Sequence, residues 1–436
     1  MKTFRKGGVH PPENKISKDC PIVEMPVPAE LRIMLSQCIG VPAKPIVKPG
    51  EKISCGQMIA EAAAFVSAPV HSPVNGTVKK IEPTRTPQGI WQDSILIETD
   101  IENPVSSPEP RTDDEVNSLT PKEIIDIVGE CGIVGLGGAT FPTKVKLSVP
   151  QGKHAGYVLI NGAECEPCLT CDDALMRQDA EKIMKGTLLI MKATGAEAGI
   201  IGIEENKPQA IQAMKEAASR FSNLEVVTLK KKYPQGGEKQ LIFAITGRVV
   251  PAGSLPIETG CIVDNVATAY AVYDAVYNRR PLTERIVTVT GPDLSKPGNF
   301  RVKNGTSLNA VLEFAGGIPE NTGKIIAGGP MMGRAVSTLD TPATKGLSGL
   351  VVLPLSESFR KKEGPCIRCA RCVSVCPMGL EPYLLMLQAD AKRWDDMAAN
   401  GIMNCLECGC CTYTCPSYRP LLDMIKLGKQ ELRKKK

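Results

Sequence analysis

Eight cysteines near the end of the chain have a spacing that could bind iron–sulfur clusters. They form two runs of the pattern C-x2-C-x2-C-x3-C-P: Cys366, Cys369, Cys372 and Cys376 in the first run, and Cys405, Cys408, Cys411 and Cys415 in the second. With this spacing, three thiolates of one run are joined by the fourth thiolate of the other. We therefore expect one [4Fe–4S] cluster on Cys366, Cys369, Cys372 and Cys415. A second is expected on Cys405, Cys408, Cys411 and Cys376.

Structural zinc and surface disulfides are the alternatives for these cysteines. Zinc sites usually pair C-x2-C knuckles, and a third cysteine at the same spacing exceeds the need of a tetrahedral site. The complete eight-cysteine pattern therefore favours clusters. Cys410, an extra cysteine inside the second run, is a non-ligand by its spacing.

Composition narrows the classes of function. A chain of 436 residues is long enough for roughly two to four domains, and its 17 cysteines indicate a reducing compartment. A net charge of +5, 4% aromatic residues and no basic stripe argue against nucleic-acid binding. The sequence has no apolar run of about 18 residues, so no membrane span is predicted. The N-terminus lacks the apolar segment of a signal peptide.

The elements that must position the clusters are organised as modules. Residues 1–30 predict an extended arm, and residues 31–100 a β-barrel with a hairpin turn at Asn75-Gly76. The barrel resembles the barrel-sandwich fold of biotinyl and lipoyl carrier domains. It has no lysine at the predicted hairpin tip, so we expect a scaffold. Residues 101–119 have linker composition, and Thr120-Pro121-x-Glu123 predicts the start of a helix.

The central part of the chain, 120–282, predicts a Rossmann-like parallel α/β domain. Apolar strands over 157–162, 198–203 and 224–229 alternate with helices over about 172–193 and 207–220. In such a sheet, ligands bind at the carboxyl ends of the strands. The glycine-dense loop 135–147 could approach a phosphate with its backbone amides, although that signal is weak alone. Cys165, Cys168 and Cys171 follow the first strand, and we prefer plain thiols there to a third metal site.

Two further modules complete the prediction. Residues 283–355 predict a small β-grasp module, in which Met331 and Met332 are expected to be core or interface residues. Residues 356–436 predict a helical ferredoxin-type domain for the two clusters, with a solvated basic tail. The fold class is thus multidomain α/β. Clusters pass one electron at a time, so exchange with a two-electron donor such as NADH would need a flavin as converter.

Several motifs carry a family resemblance. GLGGATFPTKVK (135–146), NGAECEP (161–167), YPQGGEKQL (233–241) and IVDNVATA (262–269) resemble, in order, the FMN- and NADH-binding subunit of respiratory complex I. With FRKGGVHPPENK (4–15), the barrel, the β-grasp module and the cysteine runs, nearly the whole chain resembles the RnfC family. Members of that family are subunits of the Rnf-type ion-translocating electron transport complex.

The resemblance implies roles for individual residues. Gly135, Gly137 and Gly138 would form the flavin loop, with Phe141 near the rings and Lys146 close to the flavin or its phosphate. Asn161, Glu164 and Glu166 would border the isoalloxazine and the nicotinamide. Glu238 would meet the dinucleotide, and Asn265 and Thr268 would hold the flavin phosphate. No general acid or base is predicted, because hydride transfer depends on cofactor positioning.

The chain departs from the complex I pattern at four positions. Ala163 replaces an acid, Gly237 replaces the first of two glutamates, and Val134 and Leu136 replace arginines.

The implied function is electron transfer at a membrane complex. The chain would exchange hydride between NAD(H) and non-covalent FMN, and its two [4Fe–4S] clusters would link the flavin to other subunits, including a ferredoxin-like iron–sulfur subunit. It would lie on the cytoplasmic face of the membrane as a peripheral subunit. In that family, electron flow between NAD and ferredoxin is coupled to sodium or proton translocation. The alternatives are a scaffold or electron-wire subunit that binds no nucleotide, and a related flavin and iron–sulfur cobalamin reductase.

Overall fold

Short strands form the first hundred residues in the computed structural model of the protein, which describes residues 1–103 and 108–434. They are β1 (Ile22–Glu24), β2 (Glu30–Met34), β3 (Lys44–Pro45), β4 (Lys52–Ile53), β5 (Met58–Glu61), β6 (Val70–His71), β7 (Gly76–Arg85) and β8 (Trp91–Thr99). Strands β2, β8, β7 and β4 form one sheet of the barrel, and β3, β5 and β6 form the other. Alternating apolar residues fill its core: Leu31 pairs with Ile97 and Ile33 with Ile95, and all four are fully buried.

The hairpin predicted at Asn75-Gly76 is wrong. Strand β6 pairs with β5, whereas β7 pairs with β4 and β8, so the Asn-Gly pair joins strands of two different sheets. Asn75 instead has a tertiary role, because its Oδ1 accepts a hydrogen bond from the backbone N–H of Cys55 at 2.8 Å. Strands β7 and β8 form a hairpin, which turns between Arg85 and Trp91.

The predicted linker 101–119 contains a helix. Within this stretch, residues 104–107 lie outside the described part. Helix α1 (Asp113–Ser118) begins with a capping box between Thr112 and Glu115. Just before it, Arg111 donates a hydrogen bond from Nη1 to the carbonyl of Val276 at 2.5 Å. The second half of the predicted linker therefore packs on the α/β domain.

The central domain is a parallel sheet covered by helices. Its elements are α2 (Pro121–Glu130), α3 (Thr143–Leu147), β9 (Tyr157–Gly162), α4 (Cys171–Gln178), α5 (Ala180–Thr194), β10 (Ala198–Glu204), α6 (Pro208–Ala218), β11 (Leu224–Leu229), α7 (Glu238–Thr246), a 3-10 helix (Pro256–Thr259), β12 (Cys261–Asn265) and α8 (Val266–Asn278). The strand order is β11-β10-β9-β12, and every pair is parallel, which confirms the predicted sheet. The predicted capping box of Thr120 and Glu123 is also present. The helix predicted over 172–193 is two helices, because Asp179 leaves the helical backbone conformation.

The β-grasp module has a mixed sheet. It comprises β13 (Glu284–Thr290), β14 (Gly298–Lys303), α9 (Leu308–Phe314), β15 (Thr322–Ala327), β16 (Arg334–Ala335) and β17 (Gly349–Pro354). The order β1-β14-β13-β17-β15-β16 includes β1 from the predicted arm as an edge strand parallel to β14. Apolar residues of α9 such as Leu308 and Leu312 pack on Val287 and Phe300 of the sheet.

The C-terminal domain is built from short helices around the cysteine runs. They are α10 (Leu355–Ser358), α11 (Arg371–Ser374), α12 (Pro382–Asp390), α13 (Trp394–Ala399), a 3-10 helix (Ile402–Asn404), α14 (Cys410–Thr414) and α15 (Leu421–Lys434). The basic tail was predicted to be solvated, but Lys429 is buried and its Nζ donates to the carbonyl of Cys405 at 3.0 Å and to Glu407 Oε1 at 2.6 Å. Lys435 and Lys436 lie outside the described residues.

The N-terminal arm packs across the modules and ties them together. Lys2 bridges Leu229 at the end of β11, and Val9 bridges Tyr233. Between them, the backbone N–H of Gly8 donates to the carbonyl of Val375 in the C-terminal domain at 2.8 Å. Within residues 1–103 and 108–434, none of the helices combines the length and apolarity needed to cross a bilayer.

Candidate functional site

Both cysteine runs follow the same backbone path. Three matched positions in each run have φ in the left-handed region: Arg368, Ala370 and Gly379 in the first run, and Glu407, Gly409 and Tyr418 in the second. Four of these six residues are not glycine, so each of those four conformations costs about 1–3 kcal/mol. The internal repeat seen in the cysteine spacing thus extends to the backbone, and strain of this kind is retained where loops are shaped around a ligand.

One set of four thiols lines a single buried cavity. Cys376 from the first run meets three of the four cysteines of the second run in a space of about 360 Å³ with otherwise mainly apolar walls; the four thiols of this set are Cys376, Cys405, Cys408 and Cys411. Burial, with smaller contributions from the Cys408 and Cys376 thiols, raises the pKa of Cys405 to about 11. Thiolates in such a site need a positive partner, which iron would supply. The donor set therefore fits the cluster predicted on these residues.

Cys410 lines the same cavity as a fifth thiol. Its side chain is fully buried, and its Sγ lies 4.0 Å from the carbonyl oxygen of Tyr233. The structure thus turns this thiol toward the α/β domain.

The other predicted ligand set lies closer to the surface. Cys372 and Cys415 pack together beside Met386 and Leu421. Burial raises the pKa of Cys372, and the neighbouring Cys415 and Cys369 thiols add to the shift. In contrast, Cys366 and Cys369 are exposed. The two cysteine sets therefore differ in burial, one enclosed and the other open to solvent on one side.

The glycine loop is fastened to the start of α8. Its two ends are joined, because the backbone N–H of Gly135 donates to the carbonyl of Phe141 at 2.8 Å. The Thr268 hydroxyl accepts a hydrogen bond from the backbone N–H of Leu136 at 2.9 Å, which fixes the loop against the helix. Gly138 has φ 125° and open space where a Cβ would lie, whereas a Cβ on Gly137 would lie 3.2 Å from Asn265. Phe141 is half-buried.

The two predicted asparagines connect neighbouring strand ends. Asn265 caps α8 by accepting from the N–H of Ala267, and its Nδ2 donates to Asp172 Oδ2 at 2.7 Å. Asn161, at the end of β9, donates from Nδ2 to the carbonyl of Gly236 at 2.9 Å. The side chains expected to hold the phosphate, Asn265 and Thr268, therefore already hold the loop and helix in place.

Lys146 lies among acids at the end of β12. Its Nζ donates to the carbonyl of Val263 at 2.6 Å and lies 3.4 Å from Asp264 Oδ1 and 3.9 Å from Glu238 Oε1. Burial opposes its charge, but the Asp264 and Glu238 carboxylates raise the pKa of Lys146 above its ordinary value. The side chain of Asp264 is fully buried, and neither of its oxygens has a hydrogen-bond partner among the described residues. Asp264 lies within the motif IVDNVATA (262–269), but no role in the site was predicted for it.

The N-terminal arm holds the acidic loop after β9 through the side chain of Lys15. Lys15 Nζ donates to the carbonyls of Glu164 at 3.1 Å, Glu166 at 3.3 Å and Leu169 at 2.5 Å. Glu164 has φ 42°, and its side chain is 4% exposed. Its Oε1 accepts from the N–H of Asp172 at 2.7 Å, whereas Oε2 has no hydrogen-bond partner among the described residues. The arm therefore shapes the loop that carries the predicted acids.

The Glu166 carboxylate lies between Tyr233 and the backbone of Met331. Its Oε1 lies 3.4 Å from the Tyr233 hydroxyl oxygen, and Oε2 accepts from the backbone N–H of Met331 at 3.0 Å. Burial raises the pKa of Glu166 to about 7, although these donors oppose the shift.

Tyr233 joins the acidic loop to the buried cysteine cavity. Its hydroxyl donates to the carbonyl of Cys408 at 2.9 Å, in addition to its contact with Glu166. The same apolar cluster contains Cys408, Cys410 and the partly buried Cys165. The buried cysteine set, rather than the surface set, therefore adjoins the predicted flavin site.

The three cysteines 165, 168 and 171 do not gather at one point. Cys165 packs with Cys408 and accepts a hydrogen bond from the N–H of Gly236 at 3.3 Å. Cys168 packs on Leu169 and the β-grasp sheet, and Cys171 lies in the core of the α/β domain. This separation favours the interpretation of these residues as plain thiols.

A polar cleft of about 300 Å³ lies beside Glu166. Its wall includes Glu204 at the end of β10 and His10 and Glu13 of the arm. Burial raises the pKa of Glu204 to about 7, and the nearby Lys207 Nζ donates to the carbonyl of Ala163 at 2.7 Å. No role was predicted for these residues from the sequence, although an acid at the end of a buried strand is a usable signal.

Comparison with protein families assigns each module. The Nuo51 FMN-binding domain matches residues 128–274, the RnfC barrel-sandwich hybrid domain matches 2–102, the SLBB domain matches 286–335 and the 4Fe–4S dicluster domain matches 359–416. An RnfC protein of Acetobacterium woodii, from its Na⁺-translocating ferredoxin:NAD⁺ oxidoreductase complex, is 41% identical over 428 residues, which is 98% of this chain and 96% of the relative. The chain belongs to the RnfC family.

A second relative agrees with this assignment. The RnfC protein of the proton-translocating ferredoxin:NAD⁺ oxidoreductase complex of Clostridium ljungdahlii is 42% identical and covers 89% of this chain and 84% of the relative. As a member of the RnfC family, the chain is a subunit of an ion-translocating oxidoreductase complex with an FMN-binding domain and iron–sulfur clusters. The predicted family, fold class and cofactors are confirmed.

A solved structure shares the fold. A chain of the NAD⁺-reducing [NiFe]-hydrogenase in the H₂-reduced state aligns with a TM-score of 0.50 and 19% identity, covering 76% of this chain and 66% of that chain. The β-grasp module, residues 283–355 in the prediction, contains the SLBB match, and we call it the SLBB module below.

Proposed function

We propose that this chain exchanges hydride between NAD(H) and FMN at the strand ends of the α/β domain and passes single electrons through the buried cysteine set. One observation carries the proposal. The Tyr233 hydroxyl contacts both Glu166 of the predicted nicotinamide site and the carbonyl of Cys408, which lines the buried cavity. A single side chain thus spans the two sites.

The FMN would lie over the glycine loop. Gly135, Gly137 and Gly138 leave its backbone open to a phosphate, and the start of α8 offers the positive end of a helix dipole. Asp264 Oδ2 and Glu164 Oε2 are buried and have no hydrogen-bond partner among the described residues, although Lys146 lies 3.4 Å from Asp264 Oδ1 and Lys15 lies 3.7 Å from Glu164 Oε2. Such oxygens accept hydrogen bonds, and the flavin's ribityl hydroxyls and ring N–H are donors of that kind. Bound FMN would accept a hydride and release its electrons one at a time.

The remaining predicted residues would orient the flavin rings and the dinucleotide. Lys146 presents a charge beside the loop, and Phe141 would lie near the rings. Asn161, Glu164 and Glu166 would border the isoalloxazine and the nicotinamide at the end of β9. The Glu238 side chain is 43% exposed at the start of α7, which suits contact with an incoming dinucleotide.

The burial of the cysteines supports an order for the clusters. The cluster on Cys376, Cys405, Cys408 and Cys411, which we call the inner cluster, would be nearest the flavin, because Cys408 packs beside Tyr233 and Cys165. The cluster on Cys366, Cys369, Cys372 and Cys415, which we call the outer cluster, would follow it, because Cys366 and Cys369 are exposed. Electrons would therefore leave or enter the chain at the second of these.

The surface around this outer cluster suits an acidic partner. Five basic residues and one acidic residue lie between Phe359 and Cys372, and Lys362, Arg368 and Arg371 are exposed. Phe359 and Ile367 are exposed at 74% and 64% beside them. A ferredoxin-like iron–sulfur subunit with acidic residues around its own cluster would match this surface. We place the chain on the cytoplasmic face of the membrane as a peripheral subunit.

Cysteine variants test the proposed order of electron transfer through the two clusters. In anaerobically reconstituted chain, Cys366→Ala should remove the outer cluster, while NADH still reduces the flavin and the inner cluster within one turnover. Cys408→Ala should remove the inner cluster and slow reduction of the outer one by NADH. Iron analysis and freeze-quench EPR separate the two clusters.

The proposal fails if the wild-type chain retains no FMN and NADH bleaches neither flavin nor cluster absorbance. That outcome would favour a scaffold or electron-wire subunit. If Cys408→Ala leaves reduction of the outer cluster as fast as in wild type, the order of the clusters is wrong.

A further inference from the structure

A loop of the SLBB module reaches into the predicted nicotinamide site. It covers residues 328–333 (GGPMMG) and connects β15 to β16. The loop is tight, because the backbone N–H of Gly333 donates to the carbonyl of Gly329 at 2.8 Å. We call it the GGPMMG loop.

The loop holds the Glu166 carboxylate with its backbone. The N–H of Met331 donates to Glu166 Oε2 at 3.0 Å, and the N–H groups of Met331 and Met332 both lower the pKa of Glu166 against the larger effect of burial. Backbone amides keep their donor character at every pH, so they can hold a carboxylate without titrating themselves. Hydrogen bonds to an ionised acceptor are also the stronger kind.

The shape of the loop depends on this carboxylate. A Cβ on Gly329 would lie 2.2 Å from Glu166 Oε2 and 2.6 Å from its Cδ. The three atoms closest to that added Cβ all belong to the Glu166 side chain, and Gly329 does not have a left-handed φ. The glycine is therefore needed for the approach of Glu166 and not for the backbone conformation.

The opposite side of the loop contacts the second cysteine run. A Cβ on Gly409 would lie 2.9 Å from the carbonyl oxygen of Met331, so these backbones are in close contact. The Met331 side chain packs in the same apolar cluster as Cys408, Cys410 and Cys165. One short loop thus touches both the acid of the nicotinamide site and the segment that carries the inner cluster.

We infer that the GGPMMG loop is a positioning element for hydride exchange, which fixes the Glu166 carboxylate through backbone amides and aligns it with the loop of the inner cluster. This inference rests on the proposed function, because it gives Glu166 a place beside the nicotinamide. It assigns to the SLBB module a positioning role in hydride exchange.

Gly329→Ala tests this role locally. The added methyl group must displace the carboxylate, so kcat/KM for NADH should fall by about 10- to 100-fold, while FMN and iron contents stay at wild-type levels. The exposed Arg334, directly after the loop, provides the control, and Arg334→Ala should stay within about twofold of wild type. In a Glu166→Gly background, which removes the Cβ together with the carboxylate, Gly329→Ala should cause little further loss, because all three atoms nearest to the added methyl group are gone.

Hydrogen exchange tests the contact between the GGPMMG loop and Glu166 without a measurement of activity. In Glu166→Ala, the backbone amides of Met331 and Met332 lose their acceptor, so a peptide covering 328–333 should exchange faster than in wild type. Unchanged exchange would overturn the inference even if NADH oxidation is confirmed. Wild-type kinetics in Gly329→Ala, or its full effect persisting in the Glu166→Gly background, would also overturn it. If exchange differs between wild type and Glu166→Ala but the wild-type chain does not oxidise NADH, the proposed function is refuted and the contact is not.

Discussion

At the scale of single residues, Glu166 is the acid whose environment has the clearest chemical consequence. Burial raises its pKa to about 7, although the Met331 N–H and the Tyr233 hydroxyl act in the opposite direction. Its carboxyl group is therefore mostly protonated below about pH 7 and mostly ionised above it. Since oxidation of NADH creates a positive charge on the nicotinamide ring, an ionised Glu166 beside that ring would stabilise the product.

We predict that the rate of NADH oxidation rises with pH through an inflection near 7, and that Glu166→Gln removes this inflection. The glutamine keeps the shape of the side chain but carries no charge in either range. The measurement is the anaerobic rate of flavin bleaching by NADH from about pH 5.5 to about pH 8.5. An unchanged inflection in Glu166→Gln would assign the titration to another group.

Cys408 and Cys410 form a matched pair for testing the cluster ligands. Both line the cavity, but Cys410 points toward Tyr233. We predict that Cys408→Ala loses about half of the iron, because each [4Fe–4S] cluster carries half of the total, and that Cys410→Ala loses none. Iron and sulfide analysis of both variants, with circular dichroism to check folding, measures this. Loss of iron from Cys410→Ala would mean that Cys410 is a cluster ligand.

The residues that sequence analysis identified are those whose types and spacing carry information locally. The cysteines, the glycines and the acids after β9 are of this kind. Asp264, Tyr233 and Lys15 acquire their roles only from tertiary contacts: Lys15 acts on carbonyls about 150 positions further along the chain. A local sequence pattern does not show such a contact, so no role was predicted for these residues.

At the scale of elements, the glycine loop has a left-handed φ at two residues, Gly138 and Thr140. Gly138 has φ 125°, whereas Gly135 does not have a left-handed φ. A Cβ on Gly135 would lie 3.6 Å from the nearest atom, the Phe141 carbonyl oxygen, and a Cβ on Gly138 would meet nothing within 4 Å. Space is therefore available at both positions, and only the backbone distinguishes them.

We predict that Gly138→Ala weakens FMN binding, while Gly135→Ala does not. The strained conformation costs about 1–3 kcal/mol, and each 1.4 kcal/mol corresponds to about a tenfold change in Kd. Quenching of flavin fluorescence during titration of FMN into apo-chain gives the two dissociation constants. Equal weakening in both variants would mean that the loop acts through its volume and not its conformation.

The strands and helices themselves were largely predictable. Apolar runs identified β9, β10 and β11, and Thr120 with Glu123 identified the start of α2. The errors arose where a local signal had a tertiary use. Asn75 bonds Cys55 instead of forming a hairpin, and Asp179 interrupts a stretch whose apolar pattern continues on both sides.

At the scale of the whole molecule, the modules form a path from the α/β domain to the surface cysteines. Tyr233 and the GGPMMG loop lie at the inner end of this path. The exposed basic residues Lys362, Arg368 and Arg371 lie at its outer end. The order of modules was predictable from the motifs, but the packing of the arm between them was not, because a proline-rich segment carries no pattern that names its partner.

We predict that Lys362→Glu, Arg368→Glu and Arg371→Glu together slow electron transfer to an acidic two-cluster ferredoxin by about tenfold or more at low salt. Reduction of the chain's own flavin and clusters by NADH should be unchanged. The control with the same change of charge replaces Lys44, Lys48 and Lys80, exposed on the barrel, with glutamate. Equal slowing by both variants would indicate a general effect of net charge instead of a docking surface.

The most direct test of the central claim is an anaerobic titration of the reconstituted chain with NADH, followed by absorbance and EPR together. We expect flavin absorbance to bleach and EPR signals of reduced [4Fe–4S] clusters to appear in the same titration. In Cys408→Ala, the flavin should still bleach while the outer cluster is reduced slowly. Cluster reduction without flavin bleaching, or no response to NADH in a chain that holds both cofactors, would contradict the proposed function.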